Sequence, residues 1–238
     1  MQPEERIITA LDVDTIDEAL EISEKIGYKA KTVKVGSQLF TRVGPEIISA
    51  LKKKGKNVFL DLKFNDIPNT VAMSAEAAFA LGVKIFNVHV SGGKEMMKAC
   101  MNSVKSVAEK NDGVRPVVLG VTVLTSMDEK EMSDDLGIKR SLAEQVRSFA
   151  RLAKESGLDG VVASPKEIRL IREDCGENFI ILTPGIRPEW SVKNDQKRIM
   201  TPSEAIKAGA DYLVIGRPIT NSSDPAMAFE KIVEEVRG

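Results

Sequence analysis

Asn57-Val58-Phe59-Leu60-Asp61-Leu62-Lys63-Phe64 begins as an apolar strand and then carries charge where such a strand should simply end. An amphipathic stretch, Asn69–Leu81, follows, stops on Gly82 and gives way to a second apolar run, Lys84–Val90. Strand, helix, glycine stop and strand make one β/α unit. That unit recurs from end to end. The strand candidates are Arg6–Val13, Thr32–Gly36, Asn57–Phe64, Lys84–Val90, Arg115–Leu124, Gly160–Ser164, Phe179–Ile186 and Tyr212–Gly216. Each is short and rich in Val, Ile, Leu or Phe. Amphipathic segments such as Ile16–Ile26, Lys94–Lys110, Leu142–Ser156, Ser203–Ala208 and Pro225–Val236 lie between them. Many helices close on glycine, at Ile26-Gly27, Leu81-Gly82, Ser156-Gly157 and Ala208-Gly209.

Eight strands each followed by a helix predict an α/β protein, a (β/α)8 TIM barrel forming a single domain over residues 1–238. A doubly wound open sheet is the rival, but no glycine-rich dinucleotide fingerprint follows the first strand. The 34 basic and 35 acidic residues leave a formal net charge of −1, so bulk electrostatics points to neither nucleic acid nor an anionic membrane. Eight Phe, two Tyr and one Trp are too few and too scattered for a base-stacking surface. Cys100 and Cys175 lack C-x-x-C spacing and read as free thiols in a reducing cytosol. With one histidine as well, no zinc cluster of the usual kind is expected. The charged N-terminus leads straight into a strand, without the pattern of a signal peptide. No apolar run approaches the ~20 residues that cross a bilayer. These features predict a cytoplasmic protein.

In such a barrel, chemistry collects at the C-terminal ends of the strands. Those ends carry Asp12, Lys34, Asp61 and Lys63 with Asp66 just beyond, then His89, Thr125, Thr183-Pro184-Gly185-Ile186-Arg187 and Gly216-Arg217. Along a strand Asp61 and Lys63 face one way, and Leu60, Leu62 and Phe64 the other. One acid–amine pair would read as a structural ion pair; an alternating array from three neighbouring strands reads as a site. After strands seven and eight, Arg187, Gly216 and Arg217 suit an anion, with the arginine fork matched to phosphate oxygens. The polar segment Arg187–Met200 suits a lid, and Gln196 within it could donate to a phosphate. His89, between Val88 and Val90, reads as a hydrogen-bonded structural histidine, and Ser91-Gly92-Gly93 as an N-cap or a phosphate loop. Lys52-Lys53-Lys54 and Glu129–Asp135 read as solvated charge.

Six blocks carry a resemblance: Ala10-Leu11-Asp12; Val33-Lys34-Val35-Gly36; Phe59 through Thr70; Val121-Thr122-Val123-Leu124-Thr125-Ser126; Thr183 through Arg187; and Val214-Ile215-Gly216-Arg217-Pro218-Ile219. Together and in this order the chain resembles orotidine 5′-phosphate decarboxylase of the bacterial type. Asn65 stands where many members carry histidine, and Val90 where a smaller residue is common. The resemblance implies conversion of orotidine 5′-monophosphate to UMP and CO2, the last step of de novo UMP synthesis, without metal or organic cofactor. It implies a homodimer in which Asp66, Ile67 and Thr70 reach the neighbouring subunit's site. Lys63 would protonate the reacting carbon, with Asp61 and Asp66 as counter-charges. Lys34 and Asp12 would hold the ribose, Thr125 the pyrimidine, and Arg187, Gln196, Gly216 and Arg217 the phosphate. Magnesium-dependent relatives such as 3-keto-gulonate-6-phosphate decarboxylase share D-x-K-x-x-D but place a glutamate on strand two, where this chain has Lys34. A non-catalytic sensor of phosphate ligands on the same fold is the remaining alternative.

Overall fold

The computed structural model describes residues 1–191 and 200–238. Eight parallel strands, β1 (Ile7–Ala10), β2 (Thr32–Gly36), β3 (Asn57–Phe64), β4 (Ile85–His89), β5 (Val117–Val121), β6 (Gly160–Val162), β7 (Ile180–Thr183) and β8 (Tyr212–Ile215), pair in chain order. β8 returns to β1 in the register Ile7↔Leu213, which closes the barrel. The helices among the described residues are α1 (Ile16–Lys25), α2 (Ser37–Val43), α3 (Glu46–Lys53), α4 (Pro68–Leu81), α5 (Lys94–Lys110) and α6 (Glu129–Leu136). They continue as α7 (Leu142–Glu155), α8 (Ile168–Cys175), α9 (Pro202–Ala208), α10 (Arg217–Thr220) and α11 (Pro225–Arg237). None of them is long and apolar enough to cross a membrane.

Local chemistry accounts for the boundaries. Reciprocal capping boxes start α1 (Thr15 with Glu18), α6 (Asp128 with Glu131), α7 (Ser141 with Glu144) and α9 (Thr201 with Glu204). α4 ends on Gly82 at φ +68°, a left-handed turn that a Cβ would strain. β2 and β3 keep their predicted bounds, and the other six strands are shorter than the apolar runs that predict them. β1 stops at Ala10 rather than Val13, and β5 at Val121 rather than Leu124, because the chain leaves the ladder to build the barrel mouth. Glu129–Asp135, expected to be solvated, lies in α6, whose Met132 is fully buried.

The core has two parts. Ile8, Ala10, Phe59, Ile85, Leu119, Leu182 and Val214 fill the lumen. A much larger shell, including Leu60, Phe86, Val88 and Val161, lies between strands and helices. The lumen is therefore largely hydrocarbon, and the charged side chains lie in the layer above it.

Between β3 and β4 the register breaks. Leu60 pairs with Phe86 and Phe64 with Val88, so four steps along β3 match two along β4. β3 carries two surplus residues in this span, and Lys63 within it adopts φ +53°. Bulges of this kind re-aim side chains next to active sites.

Candidate active site

The charged strand ends meet as a chain of alternating sign. Lys34 Nζ lies 2.7 Å from Asp12 Oδ1 and 3.7 Å from Asp61 Oδ2. Lys63 Nζ donates to Asp61 Oδ1 at 2.8 Å. Two cations and two anions balance, which buried ions require. Burial is graded along the array: the Lys34 side chain is 10% exposed and Asp61 15%, whereas Lys63 is 32% and Asp12 56% exposed, so the Lys63 amine stays reachable. Phe59, two residues before Asp61 on the lumen face, seals the array from below. Leu62 and Phe64 pack against the outer shell, on the side expected of them.

Asn87 is the partner that sequence reasoning missed. It is fully buried on β4, its Nδ2 donates to Asp61 Oδ1 at 2.7 Å, and its Oδ1 accepts from the Lys63 backbone N–H at 2.8 Å. The available signal was a lone carboxamide inside the apolar run Ile85-Phe86-Asn87-Val88, which must find partners when buried.

A cavity of about 180 Å³ opens over the array. Lys34, Asp61 and Lys63 line one side, and Val123, Thr125, Val162, Leu182, Pro184 and Val214 the other. One wall is ionic and the opposite wall apolar, as a flat heterocycle with one charged edge would need. Arg187, Arg217 and Ser191 line a second depression of about 290 Å³. The predicted phosphate cations therefore share one pocket, with Arg187 buried and donating to the Ile186 carbonyl at 2.9 Å. A Cβ on Gly216 would make only ordinary contact, 3.4 Å from Ala10 Cβ, so the protein's own packing does not demand glycine there. Ile186 bridges Met200, which holds the two ends of the Arg187–Met200 segment side by side. Gln196 lies outside the described residues. A larger groove of about 600 Å³ runs along the outer face of α7, where Arg147 and Arg151 already pair with Asp174.

One expectation, the hydrogen-bonded His89, needs correction. Within one chain no ion pair within 4.0 Å joins Asp66 to Lys63, and the Asp66 Oδ1 accepts from the Ile67 N–H at 2.6 Å. α4 begins at Pro68, one residue before the expected Asn69, and the whole stretch Asn65–Thr70 is exposed, with Ile67 at 67%. The His89 imidazole makes no hydrogen bond among the described residues. Burial lowers its pKa, with the Lys63 charge adding and Asp61 opposing. Gly93 caps α5 without a side-chain bond, and Ser91 lies within a 3₁₀ turn. Cys100 and Cys175 are free and buried, and burial pushes the Cys100 thiol up to about 12. No cluster of three His, Cys, Asp or Glu side chains fit to hold a metal occurs among the described residues.

A family model described as "Orotidine 5′-phosphate decarboxylase / HUMPS family" matches residues 5–232. The chain belongs to the orotidine 5′-phosphate decarboxylase / HUMPS family. Family relatives named orotidine 5′-phosphate decarboxylase extend over nearly the whole chain. That of Moorella thermoacetica is 48% identical over 236 residues, 99% of this chain and 94% of its own. That of Trichlorobacter lovleyi is 51% identical over 231 residues, 97% of this chain and 95% of its own. Among solved structures, the orotidine 5′-phosphate decarboxylase of Lactobacillus acidophilus superposes with a TM-score of 0.87 at 38% identity, covering 98% of this chain and 99% of that one. An uncharacterized conserved protein from Geobacillus kaustophilus gives 0.85 at 37%, covering 97% of this chain and 99% of that one.

Proposed function

We propose that this chain decarboxylates orotidine 5′-monophosphate to UMP, the closing step of UMP synthesis, without metal or organic cofactor. The observation that carries the reading is the alternating array Asp12–Lys34–Asp61–Lys63 beside an apolar wall and an arginine-lined pocket. The phosphate binds Arg187 and Arg217, assisted by Gly216 and Gln196. Lys34 and Asp12 take the ribose hydroxyls, and Thr125 meets the pyrimidine. The bond from C6 to its carboxylate breaks, CO2 leaves, and the electron pair stays on C6. Asp61 crowds the departing carboxylate. The Lys63 ammonium lies where the negative charge develops and then passes a proton to C6. Binding energy from the remote phosphate orients the base over this pair.

The enzyme acts as a cytoplasmic homodimer, in which Asp66, Ile67 and Thr70 enter the partner's site. Their exposure in the single chain agrees with such a contact. A magnesium-dependent reaction fits less well, because Lys34 Nζ stands between Asp12 and Asp61 where a divalent ion would have to sit.

Ultraviolet-monitored loss of orotidine 5′-monophosphate under excess EDTA tests the reading. Conversion to UMP is expected; no conversion with EDTA or with added Mg²⁺ would overturn it. Lys63→Ala should remain folded and lose at least ~10⁴-fold in kcat, a barrier change of about 5 kcal/mol. Turnover near the parent rate would remove Lys63 from its role.

A further inference from the structure

We propose that Asn87 is a positioning residue for this reaction, a carboxamide clamp that fixes Asp61 and the Lys63 backbone at once. The inference rests on the decarboxylase reading of the array. Asn87 engages both ends of its carboxamide with these two groups: Oδ1 takes the Lys63 N–H at 2.8 Å and Nδ2 gives to Asp61 Oδ1 at 2.7 Å. The orientation is unambiguous, since a backbone N–H only donates and must face the amide oxygen, which turns the NH2 toward the carboxylate. Regular pairing would continue from Leu60↔Phe86 as a ladder, but the surplus residues of β3 break it before Phe64↔Val88. The side chain of Asn87 thus supplies the acceptor that β4's backbone no longer offers to Lys63. It does so at the one residue of β3 with positive φ, +53°. Asp61 Oδ1 then receives the Asn87 amide and the Lys63 ammonium together, so one anchored oxygen aims the amine. Nothing in the packing requires an amide. Ile85, two residues before it on the same face of β4, is fully buried hydrocarbon, and leucine would match the shape.

Asn87→Ala and Asn87→Asp separate positioning from mere support. Asn87→Ala should lower kcat by about 100-fold, the scale expected when a reacting group is displaced by about 1 Å. KM and the Kd for UMP should stay within about threefold, because the proposed ribose and phosphate contacts are untouched. Asn87→Asp preserves shape but sets two carboxylates against each other. When protonated, the introduced carboxyl again donates to Asp61 and accepts from Lys63, so kcat relative to the parent should rise as the pH falls. Parent-like kcat in either variant, or equal losses in kcat and substrate affinity with no recovery in acid, would overturn the clamp. Failure of the parent chain to decarboxylate would instead overturn the reading of the site. The clamp would then be judged by Lys63 amide hydrogen exchange: slow in the parent and faster in Asn87→Ala if it exists, unchanged if it does not.

Discussion

At Gly36 the protein omits a methyl group where the array needs room. A Cβ there would stand 2.8 Å from Lys34 Nζ and 3.5 Å from Asp12 Oδ1. The backbone, at φ −94°, would accept alanine, so the fold should survive and the flexible lysine tip should yield. Gly36→Ala is expected to lower kcat/KM about tenfold, or ~1.4 kcal/mol, with little change in thermal midpoint; a parent-like kcat/KM would mean that the Lys34–Asp12 contact has slack. His89 behaves differently. Its folded pKa lies below the ordinary 6.5, first through burial and then through the Lys63 charge, against an opposing pull from Asp61. The unfolded chain therefore takes up the proton first. This contribution to stability is whole above pH 6.5 and is lost as the pH falls below it toward the folded value. His89→Gln should flatten that acid slope in urea midpoints; an unchanged slope would assign it to other groups.

Among the strand glycines, Gly160 of β6 leaves the least room for a side chain. An added Cβ would lie 2.1 Å from the Ile180 carbonyl oxygen on β7, backbone that cannot give way without parting the two strands. Gly160→Ala should cost about 2–4 kcal/mol by urea denaturation; a loss below ~0.5 kcal/mol would show that the ladder can relax. The β/α alternation was legible in the residues because each strand is a short apolar run and most helices carry a cap or a glycine stop. Asn57–Phe64 and Lys94–Lys110 match their predicted bounds residue for residue. The bulge in β3 was not legible. Its apolar and charged residues alternate straight through the break, and register depends on a neighbour the strand does not encode. Phe64, its ring tilted 47° against Phe86 with centroids 5.8 Å apart, re-enters the ladder beyond it.

At the scale of the molecule, the site's charges were readable from strand ends because barrel topology brings those ends together. What one chain lacks is a role for Asp66, exposed beside Ile67 and Thr70. If these residues complete a neighbour's site, two defective proteins should repair each other. Lys63→Ala and Asp66→Ala homodimers, each inactive alone, should regain up to about a quarter of the parent activity when equal amounts exchange subunits, since half of the dimers are mixed and each of those has one intact site. No recovery after proven exchange would put Asp66 and Lys63 in the same subunit's chemistry.

β3 outruns β4 by two residues between matched rungs, and this makes its length quantised. Side chains change face at every step, so losing one residue between Leu60 and Phe64 would turn the strand's tip inside out. Losing two would straighten it and return the lysine to an ordinary ladder. Mutation can revise the letters of this segment but not its count. In descendants of this sequence, insertions and deletions should accumulate in the loops and spare those four steps.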